Sequence, residues 1–235
     1  MCGRYSLFTP PEDIEQRFGA SFAEEFQPRY NAAPSQSLPV ITDASPKRID
    51  AKEWGFVPPW ADSRSDFGFI NARAETLTEK STFRDAFAQQ SRDGFQMGRC
   101  LVPADGFYEW QDTRGGKQPY RVERTDGEPF AMAGLFERRE TEGRTEVTVT
   151  VVTTEPNAVV EPLHHRMAAV FDPDEEDVWL SDADPTTHRD LLDPSPAAQW
   201  RSYPVSTRVN DPTNDDPGVI EAVTPEQQTG LGDFE

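Results

Sequence analysis

The stretch GFYEWQDTRGGKQPYRVERTDGEPFAMAGLFE, residues 106–137, settles the class of fold. GFYEW is a short strand rich in aromatic residues. QDTRGGKQ, with its glycine pair, reads as the loop of a hairpin whose second arm is PYRVER. A TDG turn then leads into PFAMAGLFE, a third strand. EVTVTVVTT (146–154) follows and sets Val147, Val149 and Val151 on one face. Consecutive strands joined by short turns predict a mostly antiparallel, barrel-like sheet.

Helical signals flank this centre. Thr9-Pro10-Pro11-Glu12-Asp13 combines a hydroxyl cap, prolines where no amide donor is needed, and acids at the positive end of the helix dipole. With Ile14 and Phe18 four apart, it predicts a helix over 10–19. LPVIT (38–42) and AKEWGFV (51–57) read as strands. STFRDAFAQQ (81–90) reads as a helix with Phe83 and Phe87 as its apolar stripe. MAAVF (167–171) reads as a buried strand, and PDEEDVWL (173–180) as a helix opening on proline and acids. The class is α+β: a barrel-like β core with helices around it. No boundary divides residues 1–223, which are expected to form one domain. The polar stretch 224–235 is expected to be a mobile tail.

The 235 residues suffice for a core without disulfides or metals. Two cysteines, Cys2 and Cys100, point to a reducing compartment. No apolar run reaches the roughly 20 residues of a membrane span, and the first residues lack the pattern of a secretory signal. A soluble, cytoplasmic protein is expected. Forty-two acidic residues against 23 basic ones give a charge of −19, and only Lys47, Lys52, Lys80 and Lys117 are lysines. Such a self-repelling surface suits life in high salt. The charge does not exclude a nucleic-acid partner, because counterion release contributes little to affinity in molar salt.

Five places could carry chemistry. Removal of Met1, which a small second residue permits, would leave Cys2 with a thiol and an α-amine on adjacent carbons. An ordinary α-amine, with a pKa of about 7.7–8.0, is partly neutral near pH 7 and condenses with aldehydes. The thiol can then close a five-membered thiazolidine. An unprocessed terminus with an incidental cysteine is the plainer alternative. In INARAET (70–76), an extended chain would put Asn71, Arg73 and Glu75 on one side, suited to a phosphate or sugar. The same residues would equally make a structural Arg73–Glu75 ion pair. Glu109, among Phe107, Tyr108 and Trp110, becomes a general acid–base if burial raises its pKa, or a surface residue if it faces outward. Cys100 reads as a buried small hydrophobe. Of the histidines, His164 or His165 could shuttle protons, only one of them facing a site if the segment is a strand. His188 reads as an exposed helical residue. No CxxC or HxxxH spacing suggests zinc, and no cofactor is expected. In WGFVPPW (54–60), Trp60 is either core or a platform for stacking on an unpaired base.

The ordered set MCGRY, RYNAAP (29–34), WGFVPPW, INARAET with FRDAF, RCLVPADGFYEW, HHRM and YPVSTRVND resembles the SOS-response-associated peptidase (SRAP) family of abasic-site processing proteins from residue 1 to about 221. The resemblance implies a protein that binds single-stranded DNA at an abasic site. It implies a thiazolidine crosslink between Cys2 and the ring-opened deoxyribose, which shields the lesion in the DNA damage response. By position, Cys2 would be the nucleophile and Asn71 would hold the terminal cysteine or the sugar. Glu109 would relay protons in Schiff-base formation and in any lyase step, and His164 would assist ring opening. Arg4 and Arg73 would be phosphate ligands and Trp60 a wedge beside the lesion. The implied partner is single-stranded DNA with an abasic site, with the replication machinery as a further contact, nucleoid association when bound, and a monomeric state. Two other functions stay open: a Cys2-dependent thiol peptidase limited to autoprocessing, and a non-catalytic single-strand binder. The chain departs from the family pattern at Ala168, where proline is common, and in the His164–His165 doublet.

Overall fold

The structure, a computed structural model, describes residues 3–61, 68–91, 95–141 and 143–224. In chain order its elements are β1 (Tyr5–Leu7), α1 (Pro11–Phe18), β2 (Ser21–Phe22), β3 (Arg29–Ala32), β4 (Ser37–Thr42), β5 (Ser45–Trp54), β6 (Asn71–Arg73), α2 (Arg84–Phe87), β7 (Phe95–Ala104), β8 (Gly106–Thr113), β9 (Gly116–Arg124), β10 (Phe130–Thr141), β11 (Arg144–Thr154), β12 (Met167–Ala168), β13 (Val170–Phe171), α3 (Pro173–Leu180), α4 (Pro185–Asp190) and β14 (Trp200–Pro204). Five of these strands close on themselves. β11 pairs with β10, β10 with β7, β7 with β4 and β4 with β5, all antiparallel. β5 then returns to β11 in parallel, with Val149 opposite Trp54. A second sheet runs β14-β9-β8-β1-β3. The α+β class and the barrel-like, mostly antiparallel core expected from the sequence are what the chain forms.

The chain passes from barrel to second sheet at Asp105, between β7 and β8. Asp105 accepts from Ser6 Oγ at 2.6 Å, from the Phe8 amide at 2.6 Å and from the Thr9 amide at 3.1 Å. Arg121, 1% exposed, donates to Ser6 Oγ at 2.5 Å and to the Asp105 carbonyl at 3.0 Å. Gly106 is required here: a Cβ would lie 2.4 Å from the Arg121 guanidinium carbon. This corner therefore locks β1 onto β8.

Local expectations hold where the signal is local. α3 spans the predicted residues, with an Asp172–Glu175 capping box. α1 spans Pro11–Phe18 and ends on Gly19 at φ 56°, a left-handed cap. Its N-cap is Pro10, not Thr9, because the Thr9 amide and hydroxyl are directed to Asp105. The predicted loop QDTRGGKQ shrinks to a two-residue turn, since the β8–β9 ladder continues to Thr113 opposite Gly116.

Tertiary contacts overrule five readings. The helix expected over 81–90 keeps only Arg84–Phe87. Buried Arg99 takes the Phe87 carbonyl at 2.6 Å, and Gln89 turns left-handed at φ 53°. The strand expected over 51–57 runs Ser45–Trp54 and ends at Gly55, φ 147°. The alternation along β11 is lost from Thr148 onward, where both faces are buried, because the strand is built into the closed barrel. MAAVF divides at Ala169, pairing first with β11 and then with β10. His188 is 1% exposed, not a surface residue; it stands edge-on to Phe87 and Trp179, with Nε2 3.0 Å from the Val178 carbonyl. Among the described residues no helix is long and apolar enough to cross a membrane. Of the expected tail, residues 225–235 lie outside the described residues.

Candidate active site

Antiparallel pairing sets Tyr5 of β1 opposite Phe107 and Ser6 opposite Gly106. The Tyr108 amide donates to the Arg4 carbonyl at 2.9 Å, so the ladder continues past the strand end. Carried one step further, the same register sets Gly3 level with Glu109. Cys2 lies outside the described residues.

Glu109 is 1% exposed. Desolvation pushes its carboxyl up to about 7, although the positive charge of Lys117 pulls the other way. The inward-facing reading of this residue is therefore the one the fold adopts. Its neighbour Trp110 reaches across to Asn210, Nε1 to Oδ1 at 2.7 Å. Trp110, Gln111 and Lys117 form one wall of a cleft of about 1080 Å³. Arg73 of β6 and the segment 161–166 form the other, with His164, His165 and Arg166.

INARAET does not continue as a strand. β6 stops at Arg73, which is exposed and opposite Thr153 of β11, and residues 74–76 form a 3-10 turn. Asn71, half-buried, stands opposite Val151. Glu75 is swung away from the line of Asn71 and Arg73 and makes its ion pair with Arg166: Nη1 to Oε1 at 2.5 Å, Nη2 to Oε2 at 3.0 Å. The Arg73–Glu75 pair is thus not the hydrogen-bonded one. Burial alone would raise Glu75, but Arg166, helped by the charge of Arg73, holds it below the usual carboxylate range.

The histidine doublet sits in a turn rather than a strand, so its rings need not diverge. They lie side by side, centroids 4.2 Å apart, and both line the cleft. His164 Nδ1 accepts from the Arg166 amide at 3.0 Å, which leaves Nε2 carrying the hydrogen of the neutral ring. The Arg166 carbonyl lies 3.1 Å from the same Nδ1 and can serve only a ring with hydrogen there. Desolvation is the main cause that lowers the His164 pKa, with smaller repulsion from His165 and Lys117, so the neutral ring dominates at pH 7.

The remaining candidates are placed less centrally. Arg4 donates Nη1 to Asn31 Oδ1 at 3.0 Å and to the Val209 carbonyl at 2.9 Å. Asn31, fully buried, gathers the carbonyls of Val209, Asp211 and Asn214. Arg4 therefore braces the loop over β3. Trp60 is 51% exposed on the turn after β5, which Arg139 holds by the Val57 and Ala61 carbonyls, and it is not among the residues lining the cleft. Cys100 is fully buried and its thiol is pushed well up by desolvation. Arg166 and Lys117 are cleft residues that sequence reasoning left unassigned, and His165, the alternative shuttle, lines the cleft together with His164 instead of facing away from it. The opposite charges of Glu75 and Arg166, within two of the quoted motifs, were the available signal for the first. Among the described residues no group of three or more His, Cys, Asp or Glu side chains could hold a metal ion.

A family model described as SOS response associated peptidase (SRAP) matches residues 1–212. The chain is similar to the abasic site processing protein YoqW of Bacillus subtilis, at 40% identity over 94% of this chain and 100% of that one. It is similar to the abasic site processing protein YedK of Escherichia coli at 29% identity, over 95% of this chain and 100% of that one. In fold it is similar to the crystal structure of a protein from Bacteroides thetaiotaomicron. There the TM-score is 0.83 and the identity 24%, covering 95% of this chain and all of the other.

Proposed function

This chain belongs to the SOS response associated peptidase (SRAP) family, and we propose that it processes abasic sites in single-stranded DNA by forming a covalent bond through Cys2. The observation that carries this reading is the register of β1 on β8. It leads the start of the chain to Glu109, a buried carboxyl with a pKa near 7, beside the cleft that holds Arg73 and His164. The names of relatives such as YoqW support the same lesion. Cys100 is sealed in the core, so thiol chemistry falls to Cys2.

The reaction follows from these groups. Opening of the sugar moves a proton from the C1′ hydroxyl to O4′ as the C1′–O4′ bond breaks. Neutral His164 donates a hydrogen bond from Nε2 to the departing O4′. The neutral α-amine of processed Cys2 attacks the C1′ aldehyde, and Glu109 in its acid form protonates the carbonyl oxygen. The amine proton returns to the Glu109 carboxylate, the Glu109 acid then protonates the hydroxyl, and water leaves to give the protonated imine. The Cys2 thiol adds to C1′, its proton passes to the Glu109 carboxylate, and the thiazolidine closes with Glu109 restored to its acid form. The sum is protein plus DNA minus one water. Asn71 steadies the sugar or the terminal amine, Arg73 and Arg4 take phosphates, and Trp60 stacks beside the lesion. A lyase step would draw on the same imine and the same Glu109.

The test is a denaturing gel after incubation with a single-stranded oligonucleotide carrying one abasic site, in dilute and in molar salt. A heat-stable adduct is expected. Cys2→Ala should abolish it, and so should borohydride reduction of the abasic aldehyde to an alcohol. An adduct that survives Cys2→Ala would overturn the reading. Cys2-dependent cleavage of peptides without an adduct would replace it with the peptidase, and binding without either would replace it with a single-strand binder.

A further inference from the structure

We propose that Glu75 is a positioning residue for His164, acting through Arg166. The inference deepens the reading above and rests on it only for the consequence in adduct formation; the tie itself is a matter of geometry.

Arg166 is the hub. Its residue is 8% exposed, and its guanidinium is fixed at three points. Nη1 and Nη2 grip both oxygens of Glu75, and Nη2 also donates to the Thr153 carbonyl at 2.5 Å. A bidentate guanidinium–carboxylate pair fixes a plane as well as a distance, which a single hydrogen bond does not. The backbone of the same residue supplies the amide that occupies His164 Nδ1. Directly after it the chain joins the barrel, with Met167 opposite Thr154 and Ala168 opposite Thr153. Before it, the chain has no sheet ladder: residues 160–164 are held by turn bonds from Leu163 and His164 back to the Val160 carbonyl. The imidazole therefore projects from a turn that Gln111 also holds, Nε2 to the Pro162 carbonyl at 3.2 Å, and whose anchor next to the ring itself is Arg166.

Thr153 couples this anchor to β6, on the same wall of the cleft. It stands opposite Arg73 in the β6–β11 register, and its carbonyl receives Arg166. Glu75 lies two residues beyond Arg73, on the turn that ends β6. The carboxylate thus ties the strand bearing Arg73 to the turn bearing His164. It needs no contact with DNA to do so. Without it, Arg166 keeps only the Thr153 carbonyl, its plane is free to swing, and the amide–imidazole bond loses its fixed partner. His164 then ceases to present Nε2–H in one orientation. That costs rate in the step it serves and leaves strand binding, which depends on phosphate contacts and stacking, nearly untouched.

The test uses the full chain labelled with nitrogen-15. Three histidines make the imidazole spectrum simple. The signature is the scalar coupling transmitted through the hydrogen bond between the Arg166 amide nitrogen and His164 Nδ1. The wild-type protein should show it; Glu75→Gln and Arg166→Lys should lose it, with thermal midpoints close to wild type for Glu75→Gln because Glu75 is half exposed. Glu75→Asp should restore part of it. With the abasic oligonucleotide, Glu75→Gln should slow adduct formation about tenfold while the Kd for single-stranded DNA stays within about twofold. Coupling retained in Glu75→Gln overturns the tie, and coupling lost with an unchanged rate overturns the positioning role. If even the wild type forms no adduct, the proposed function fails, and the coupling still decides whether Glu75 orients His164.

Discussion

Asp105 and Glu109 lie four residues apart on one stretch of chain, both buried, and the fold uses them in opposite ways. Asp105 receives the hydroxyl of Ser6, two backbone amides and the guanidinium of Arg121. It is a fully coordinated carboxylate, and it makes the corner that holds β1. Glu109, next to Trp110 and the cleft, is governed instead by desolvation, which brings its carboxyl to about 7. One carboxylate gives the terminus its direction, and the other gives the place it leads to an acid–base group near neutrality. Burial alone does not distinguish scaffold from chemistry: the donors gathered on Asp105 build a corner of the fold, whereas desolvation is the largest influence on Glu109 and brings its carboxyl to about 7.

The sharpest way to break this contrast is Asp105→Asn. It leaves Arg121 buried with one counter-charge fewer and should lower folding stability by about 3 kcal/mol, read by denaturant unfolding at pH 7. Loss of less than about 1 kcal/mol would make the corner incidental. Glu109→Gln should do the reverse. Adduct formation should fall about 100-fold, and the inflection of the rate near pH 7 should vanish. Stability should not fall. A carboxyl whose pKa is raised in the fold binds its proton more tightly there than in the unfolded chain, so the native state loses stability as pH climbs from the usual carboxylate range through about 7. The glutamine variant escapes that loss and should be the more stable protein at pH 8 and an equal at pH 4.

Glu137 extends the comparison to a third buried carboxyl. It is fully buried, 3.4 Å from Arg139, and also raised to about 7, chiefly by desolvation. Yet it lies under the turn bearing Trp60, not beside the cleft. By the same sign, Glu137→Gln should gain about 1–2 kcal/mol at pH 8 and nothing at pH 4. Its rate of adduct formation should stay within about twofold of wild type. A large loss of rate would mean that a raised pKa, wherever it sits, is enough to mark the chemistry.

Much of this was legible in the sequence, and for local reasons. The PDEEDVWL helix carries its own cap and acids, so it forms as read. The hairpin and the run of strands around residues 106–137 carry their own turn residues, and the burial of Glu109 could be anticipated from its three aromatic neighbours. What was not legible depends on distant partners. The helix at 81–90 is cut short by Arg99, from another strand. The alternation of β11 is erased by closure of the barrel against β5, nearly 100 residues earlier. Glu75 finds Arg166 rather than Arg73 because β6 stops after three residues, and both histidines reach the cleft because a turn, unlike a strand, does not alternate its side chains. His188 is buried because α4 lays it against Phe87 and Trp179.

The most direct measurement is the intact mass of the protein after incubation with a single-stranded oligonucleotide bearing one abasic site. The account predicts a species equal to the chain without Met1 plus the oligonucleotide minus one water, absent with Cys2→Ala and greatly slowed with Glu109→Gln. Processed, folded protein that yields no such species, or yields it equally from Cys2→Ala, would contradict the claim that Cys2 closes on the lesion at Glu109.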